Sequence, residues 1–350
     1  MSGEGEPAAR GREFGFDTRA LHAGQRVDPV TGSRAVPIHQ TVAYVFEDAA
    51  HAADLFDLNR FGNIYTRIMN PTTAVFEERV ASLEGGVGAL ATASGLAAQS
   101  VAIMTLLEAG DHVVASAHLY GGSLNQLSIT LARFGVESTF VDPGDLGAWR
   151  EAITPRTRLL YGETIGNPRL DVLDIAAVAE VADAAGVPLL VDNTFATPYL
   201  CRPIEHGAHL VCHSATKWIG GHGTTIGGVL VDGGTYPWQD GRFPALVEPS
   251  PGYRGLRYAE TFGNFAFIMK ARVETMRDLG PVLSPFNAFL LLQGLETLSL
   301  RMDRHVDSAR AVAEFLAAHP AVEWVAYPGL PGSPYRELAE RYLPRGPGSV

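Results

Sequence analysis

The stretch His209–His222, HLVCHSATKWIGGH, decides how the fold is interpreted. A short apolar run, Leu210–Cys212, is followed by a polar loop that carries Lys217 and then two glycines. This pattern predicts a buried strand that ends in a loop holding one lysine. Ser214 and Thr216 precede the lysine by three residues and by one, so both hydroxyls would lie near its amine.

The chemistry of Lys217 has two interpretations. A lysine in partly apolar surroundings loses its proton more readily, because burial disfavours the charged form. A neutral lysine amine is a nucleophile that forms Schiff bases with carbonyl compounds. The competing interpretation is a solvated loop, which a lone Ser-x-Thr-Lys pattern more often indicates. The choice depends on what the rest of the chain places beside this lysine.

The composition is that of a folded protein with a large core. The chain has 350 residues, of which 46% are hydrophobic and 19% charged, enough for about two domains. A net charge of −11 argues against nucleic acid or an anionic membrane as partner. Cys201 and Cys212 offer neither a disulfide framework nor metal-ligand spacing, which favours a cytoplasmic protein without a metal. No apolar run approaches the ~18 residues of a membrane helix.

From residue 87 onward, short apolar runs alternate with helical stretches. This alternation predicts an α/β fold, a mostly parallel sheet with flanking helices. The predicted strands cover residues 88–92, 112–115, 137–141, 158–162, 187–191, 210–213 and 228–231, and the predicted helices between them cover residues 95–107, 123–134, 145–153 and 172–185.

The two ends of the chain lack this alternation. Residues 1–64 are expected to form an N-terminal arm, with a frayed tail at 1–13 and one short helix at 49–58. Residues 65–258 would form the large domain. Residues 259–350 are expected to begin a C-terminal α+β domain that is truncated at residue 350. Its predicted elements are helices at 259–279, 285–318 and 335–342 and a strand at 322–327.

Ligands of parallel sheets bind at the carboxyl ends of the strands, and this rule selects further residues. Ser94-Gly95-Leu96 opens a helix, where backbone N–H groups can face an anion. Tyr120 places an aromatic ring at the same edge, and Asp192 could pair with a cationic ring nitrogen. Each has an ordinary alternative, such as helix capping by Ser94 or a turn at Asp192. Asn167 follows another strand at this edge.

Tyr65 and Arg67 precede a predicted helix at 73–83. Two residues apart in an extended segment, their side chains would point the same way. Surface packing is an equal alternative for both residues.

Together these groups match the requirements of pyridoxal phosphate. Its aldehyde requires a lysine, and its ring nitrogen requires a carboxylate that keeps it protonated. Its ring requires an aromatic neighbour, and its phosphate requires a helix N-terminus with hydroxyls. Each group alone has an ordinary explanation, but all of them together favour this cofactor.

The chain resembles the Cys/Met-metabolism family of pyridoxal-phosphate enzymes from about residue 16 to its last residue. The resemblance is carried by Tyr65-Thr66-Arg67, Ser94-Gly95-Leu96-Ala97-Ala98, Asp192-Asn193-Thr194 and Ser214-Ala215-Thr216-Lys217. It implies a fold-type I transferase in which Lys217 holds the cofactor and acts as acid and base, with Tyr120 as its helper.

The resemblance also implies the roles of the other residues. Asp192 pairs with the ring nitrogen, Tyr120 stacks on the ring, and Asn167 lies near the ring hydroxyl. Tyr65 and Arg67 reach the phosphate of a neighbouring subunit in a homotetramer. The remaining phosphate contacts are Ser94, Gly95, Leu96, Ser214 and Thr216.

Within the family, residues 221–228 and 283–289 are most similar to O-acetylhomoserine sulfhydrylases. Cystathionine synthases and lyases usually carry an aspartate where this chain has Thr224-Thr225. The implied reaction is γ-replacement on O-acetylhomoserine by sulfide or a thiol, giving homocysteine or methionine and acetate.

Alternatives remain open within the family and outside it. The family alternatives are cystathionine γ-synthase, O-succinylhomoserine sulfhydrylase and methionine γ-lyase, and the other class is a non-catalytic cofactor-binding fragment. Family members continue past position 350 with an arginine that binds the substrate carboxylate, so we expect that group to be missing here.

Overall fold

A computed structural model describes residues 14–348. Within these residues a seven-stranded sheet has the order β1-β7-β6-β5-β4-β2-β3. The predicted tail at 1–13 lies outside the described residues. The strands are β1 (Gly88–Thr92), β2 (His112–Ser116), β3 (Glu137–Val141), β4 (Thr157–Glu163), β5 (Leu189–Asp192), β6 (Leu210–His213) and β7 (Gly228–Asp232).

Strand direction places the carboxyl ends of six strands at one edge of the sheet. Strands β2 to β6 pair in parallel, and β7 is antiparallel to both of its neighbours, β1 and β6. Strand β1 therefore runs in the same direction as β2 to β6. The prediction of a mostly parallel α/β sheet is confirmed.

The sheet separates two apolar layers. Successive strand side chains point to opposite faces, so Leu189 and Val191 join one buried cluster and Leu190 joins the other. Helices 71–84 and 175–185 cover the first face, and helix 95–106 covers the second. Truncating a fully buried leucine such as Leu190 to alanine would cost about 2–5 kcal/mol.

Helices begin where the sequence offers an N-cap. The side chains of Asn70, Ser94 and Asp174 each accept a backbone N–H in the first turn of a helix, which satisfies a donor without an intrahelical partner.

The α-helices are Phe16–His22, Ala49–Phe56, Pro71–Glu84, Gly95–Leu106, Gly121–Asn125, Leu146–Glu151, Ile175–Ala185, Thr197–Leu200, Pro244–Val247, Tyr258–Phe262, Ala266–Lys270, Arg277–Leu279, Pro285–Glu296, Leu298–Ala318 and Arg336–Tyr342.

Two predicted helices are interrupted. The helix predicted at 123–134 forms as Gly121–Asn125, a π segment at Gln126–Thr130 and a 3₁₀ turn at Leu131–Phe134. The helix predicted at 259–279 also contains a π segment, Ala271–Met276. Periodicity does not reveal such changes of winding, because apolar spacing alters little over one turn.

One other local prediction was wrong, and one helix was missed. Residues 322–327 form no strand. A strand requires a hydrogen-bonded neighbour, and within residues 14–348 no strand pairs with this segment, where Trp324 is 75% exposed. The helix Phe16–His22 was not predicted. Its single buried residue, Ala20, gives almost no apolar periodicity.

The helical run 258–279 belongs to the same apolar layer as the sheet. Tyr258, Phe267 and Met276 are buried in the cluster that also contains Leu190. The predicted domain boundary after residue 258 stays a prediction. Among the described helices, none is long and apolar enough to cross a membrane.

Candidate active site

A cavity of about 400 Å³ opens at the carboxyl edge of the sheet, within the size range of small-molecule sites. Nine of the predicted site residues line it. They are Ser94, Gly95, Leu96, Tyr120, Asn167, Asp192, Ser214, Thr216 and Lys217. The topology brings together residues that are up to 123 positions apart, from Ser94 to Lys217.

One wall of the cavity is the start of helix 95–106. Ser94 caps this helix, since its Oγ accepts the Ala97 N–H at 3.1 Å. The first N–H groups of a helix have no intrahelical acceptor, and the helix dipole makes this end attractive to anions. Gly95 lies so close to Ser214 that an added Cβ would be 2.7 Å from the Ser214 Cβ. A glycine is therefore required for the helix end and the Lys217 loop to meet.

The loop between β6 and β7 carries the other polar groups of this wall. The Thr216 Oγ1 accepts the Gly227 N–H at 3.0 Å and donates to the Gly227 carbonyl at 3.1 Å. The Ser214 N–H donates to the Thr194 Oγ1 at 2.7 Å. These contacts hold the first part of the loop against the end of β5 and against Gly227, at the other end of the same loop.

Lys217 itself is exposed within the cavity. Among residues 14–348, no acceptor lies within hydrogen-bond distance of its amine. The cavity around the amine is lined in part by the apolar side chains of Leu96, Phe195 and Ile226. The amine is therefore open to solvent within partly apolar surroundings.

Asp192 ends β5 at the floor of the cavity. Its Oδ1 accepts both the Thr194 N–H at 2.9 Å and the Thr194 hydroxyl at 2.5 Å. Burial raises the pKa of Asp192, while the Thr194 hydrogen bonds and the charge of His213 lower it. Thr194 thus supports the ionised form that a cationic partner requires.

A second carboxyl group, Glu163, lies beside Asp192 and was not predicted as a site residue. The two residues are paired in register on β4 and β5. Burial and the charge of Asp192 raise the pKa of Glu163 well above its usual range, and the Tyr120 N–H lowers it. The signal that could have revealed Glu163 is its position at the end of β4, the strand next to β5, which ends at Asp192.

A buried polar network lies behind the cavity floor. The His213 Nε2 is 2.6 Å from the Glu84 Oε1, and both side chains are completely buried. The Asn193 Nδ2 donates to the same Glu84 oxygen at 2.9 Å, and the Thr164 hydroxyl donates to the Asn193 Oδ1 at 2.7 Å. The network joins the ends of β4, β5 and β6 to helix 71–84.

Tyr65 and Arg67 do not line this cavity. The segment is not extended: Tyr65 forms a single bridge with Ala43, and the chain then turns. The prediction of an extended segment was wrong, because the backbone N–H of Ile68 bonds back to the Tyr65 carbonyl. The two side chains nevertheless lie together. The Arg67 guanidinium lies 5.2 Å from the Tyr65 ring centre and donates to the Arg277 carbonyl at 2.5 Å.

The arrangement fits pyridoxal phosphate. An amine, a carboxylate, an aromatic ring and a helix N-terminus face one cavity, and the helix end has no space for a Cβ at Gly95. Among the described residues, no cluster of His, Cys, Asp or Glu could hold a metal ion.

Comparison with known proteins identifies the family. A model of the Cys/Met metabolism PLP-dependent enzymes matches residues 17–350. The chain belongs to this family. As a member of the Cys/Met metabolism family it uses pyridoxal phosphate, and the resemblance seen in its motifs is confirmed.

Individual family members are also similar. An O-acetyl-L-homoserine sulfhydrylase from Leptospira meyeri is 54% identical, over 99% of this chain and 79% of that protein. A homocysteine synthase from Schizosaccharomyces pombe is 54% identical, over 96% of this chain and 79% of that protein.

Solved structures of the family share the fold. A Campylobacter jejuni crystal structure containing a pyridoxyl-lysine monophosphate has a TM-score of 0.93 and 37% identity, covering 96% of this chain and 84% of that one. The structure of metB from Corynebacterium glutamicum has a TM-score of 0.81 and 35% identity, covering 96% of this chain and 77% of that one.

Proposed function

We propose that the protein catalyses the γ-replacement of the acetate group of O-acetylhomoserine by sulfide, giving homocysteine and acetate. The observation that carries the proposal is the convergence of Lys217, Asp192 and Tyr120 on one cavity beside a helix N-terminus. The relatives named as O-acetyl-L-homoserine sulfhydrylase and homocysteine synthase support the choice of substrate and product.

The residues have distinct roles in this proposal. When bound, pyridoxal phosphate withdraws electrons from the substrate carbon that bears the amino group. Asp192 would hold the proton on the ring nitrogen, and Tyr120 would cover the ring. Lys217 would anchor the cofactor through its amine and act as the base toward the proton on the substrate Cα.

The remaining residues bind and orient the cofactor. The N–H groups of Gly95 and Leu96 and the hydroxyls of Ser94, Ser214 and Thr216 would hold its phosphate. Asn167 would lie near the ring hydroxyl. The C–O bond to acetate at the substrate Cγ would then break and a C–S bond to sulfide would form at the same carbon, while Lys217 would return the proton to Cα.

The lysine content of the chain makes a sharp test possible. The chain contains two lysines, Lys217 and Lys270. Lys270 is 9% exposed, forms an ion pair with Glu274 and lies outside the cavity. Borohydride reduction of the holoenzyme should therefore attach the pyridoxyl group to the Lys217 peptide, as seen by mass spectrometry.

Variants of the two lysines complete this test. Lys217→Ala should lose the visible cofactor absorption and the activity, because no second amine lies in the described cavity. Lys270→Arg, which keeps the charge beside Glu274, is the matched control and should keep both. Turnover of O-acetylhomoserine by Lys217→Ala would disprove the proposal.

Substrate choice is tested directly. The holoenzyme is supplied with the acetyl and succinyl esters of homoserine, each with sulfide or with cysteine. Preference for the acetyl ester with sulfide supports the proposal. Preference for the succinyl ester, or for cysteine, would instead indicate a succinyl-ester sulfhydrylase or a cystathionine γ-synthase. Bound cofactor without turnover of any pair, and without release of methanethiol from methionine, would indicate a non-catalytic protein.

We also propose that sites are shared between subunits of a homotetramer. Of the described residues that line the cavity, Lys217 alone carries a positive charge, so a phosphate dianion would gain from a further cation. Arg67 lies outside its own cavity, next to the 38%-exposed ring of Tyr65. The preceding arm exposes Val30 and Val45 almost fully, which suits a subunit contact.

Shared sites predict complementation between inactive subunits. A dimer of one Arg67→Ala subunit and one Lys217→Ala subunit would contain one site with both native residues. Co-expressed, differently tagged variants should therefore regain activity that neither has alone. No gain in the purified hybrid would contradict shared sites.

The free, buried Cys201 and Cys212 support a location in the reducing cytoplasm.

A further inference from the structure

Glu163 is a buried acidic side chain at the floor of the cavity for which the proposed reaction has no role. It is 9% exposed and lines the cavity beside Asp192, its register partner. Neighbouring strands lie ~4.8 Å apart, and registered side chains leave on the same face. Two carboxyl groups therefore stand side by side, although the ring nitrogen requires only one.

The second carboxyl group has a specific contact. The Tyr120 backbone N–H donates to the Glu163 Oε1 at 2.6 Å, which is short for a hydrogen bond from a backbone N–H. The Tyr120 carbonyl accepts the N–H groups of Ser123 and Leu124, which are part of the same loop and helix. Glu163 thus links the backbone of this loop, at Tyr120, to the end of β4 in the central sheet.

The link to Glu163 matters because the rest of Tyr120 is only partly enclosed. The residue is 50% exposed, and its side chain caps no helix. It packs on its own helix start, since a Cβ at Gly122 would lie 2.4 Å from the Tyr120 Cε1. The height of the ring above the cavity floor is therefore set through the backbone of the loop.

We infer that Glu163 is a positioning residue, which holds the Tyr120 backbone so that the aromatic ring lies at stacking distance over the cofactor. The inference rests on the proposed role of Tyr120. It assigns the two carboxyl groups different tasks: Asp192 pairs with the ring nitrogen, and Glu163 fixes the ring that covers it.

Hydrogen exchange of the apoprotein tests the contact without the cofactor. Glu163→Ala removes the acceptor of the Tyr120 N–H, and this amide should exchange about tenfold faster, as the loss of one buried hydrogen bond implies. Glu163→Gln keeps an acceptor oxygen and should stay within about threefold of wild type. Glu180→Gln, an exposed change on helix 175–185, is the matched control. Unchanged exchange in Glu163→Ala would overturn the inference.

The holoenzyme supplies a second readout. Visible circular dichroism of the bound cofactor reports the orientation of its ring, and Glu163→Ala should lose about half of the signal or more and bind the cofactor about tenfold more weakly. In a Tyr120→Ala background the same change should have no further effect on cofactor affinity, because both act through one contact.

The outcomes separate the inference from the proposed function. Additive losses, or a normal dichroic signal in Glu163→Ala, would overturn the inference alone. A wild-type protein without a dichroic cofactor band would overturn both. Loss of the signal in Glu163→Ala with retention in Glu163→Gln supports a positioning role and excludes a need for the charge.

Discussion

The His213 Nε2 lies 2.6 Å from the Glu84 Oε1, and neither side chain is exposed to solvent. The pair joins the strand before the Lys217 loop to the end of helix 71–84. Removing one partner of a buried pair leaves the other polar group without compensation, which costs about 3–5 kcal/mol. The pair therefore ties the stability of the fold to the geometry of the cavity floor.

Glu84→Ala should lower the free energy of unfolding by about 3–5 kcal/mol, measured by urea denaturation of the apoprotein. The expected cause is the loss of acceptors for both His213 and Asn193. Glu78→Ala, an exposed change on the same helix, should remain within about 0.5 kcal/mol of wild type. A similar, small effect of both changes would show that the buried pair contributes little.

Thr194→Val should make cofactor binding more sensitive to acid. The threonine hydroxyl donates to Asp192 and lowers the pKa of that carboxyl. Without it the pKa of Asp192 rises, so the carboxylate is protonated at a higher pH as the solution is acidified. In a plot of cofactor affinity against pH, the loss of affinity on the acid side, called the acid limb, should therefore move to higher pH. A fluorescence titration of the cofactor at each pH would detect this shift.

Thr194→Ser retains the hydroxyl and serves as the control for this change. Its acid limb should coincide with that of wild type. An acid limb of Thr194→Val at the wild-type position, with normal affinity at neutral pH, would show that the hydroxyl does not act on Asp192.

Gly95→Ala should weaken cofactor binding by about tenfold or more, because displacement of binding groups by a fraction of an ångström is costly in a close-packed site. The new Cβ would meet the Ser214 Cβ at 2.7 Å and the Ser214 Cα at 2.8 Å. These are main-chain and near-main-chain atoms, so the helix end and the Lys217 loop must separate. Equilibrium dialysis with pyridoxal phosphate measures the change.

Gly144→Ala is the comparison for a glycine outside the cavity. Its Cβ would have an ordinary contact, 3.4 Å from the Asp142 Oδ1, and cofactor affinity should not change. Wild-type affinity in Gly95→Ala would contradict the close approach of the two segments.

Asp232→Asn should flatten the dependence of stability on pH. Burial raises the pKa of Asp232 from 3.8 to about 7. Between these values the folded protein holds a proton that the unfolded chain has released, so stability is lost as pH rises, by about 1.4 kcal/mol per unit. The total loss from pH 4 to pH 7 is about 4 kcal/mol, and little further change follows above pH 7.

The difference between the two stability curves isolates this aspartate. Urea denaturation of wild type and Asp232→Asn from pH 4.5 to pH 8 should show a gap that changes in favour of the variant as pH rises. Since both proteins share their other titrating groups, parallel curves would contradict a raised pKa at Asp232.

The sheet and most of the cavity could be predicted because they depend on patterns that do not require side-chain detail. Buried strands such as β5 read as continuous apolar runs, and parallel strands place their carboxyl ends at one edge. Asp192, Asn167 and Lys217 therefore meet by topology alone. This prediction requires no knowledge of the contacts between their side chains.

Features that depend on individual long-range contacts could not be predicted. Glu84 and His213 are 129 residues apart, and neither lies in a pattern that marks the other as its partner. The importance of Glu163 depends on a backbone N–H of Tyr120. The exposure of Lys217 depends on the shape of the cavity mouth, and the missing strand at 322–327 depends on the absence of a partner among the described residues.

The position of β1 has a consequence for synthesis on the ribosome. Strand β1 lies at the sheet edge, with β7 as its neighbour, so residues 88–92 pair with residues 228–232. The Ser94–Gly95 end of helix 95–106 follows directly from β1, and Gly228 packs against it, because a Cβ there would lie 2.1 Å from the Ser94 carbonyl oxygen. A nascent chain therefore cannot complete this wall of the cavity until residue 232 has left the exit tunnel, which places cofactor binding late in translation.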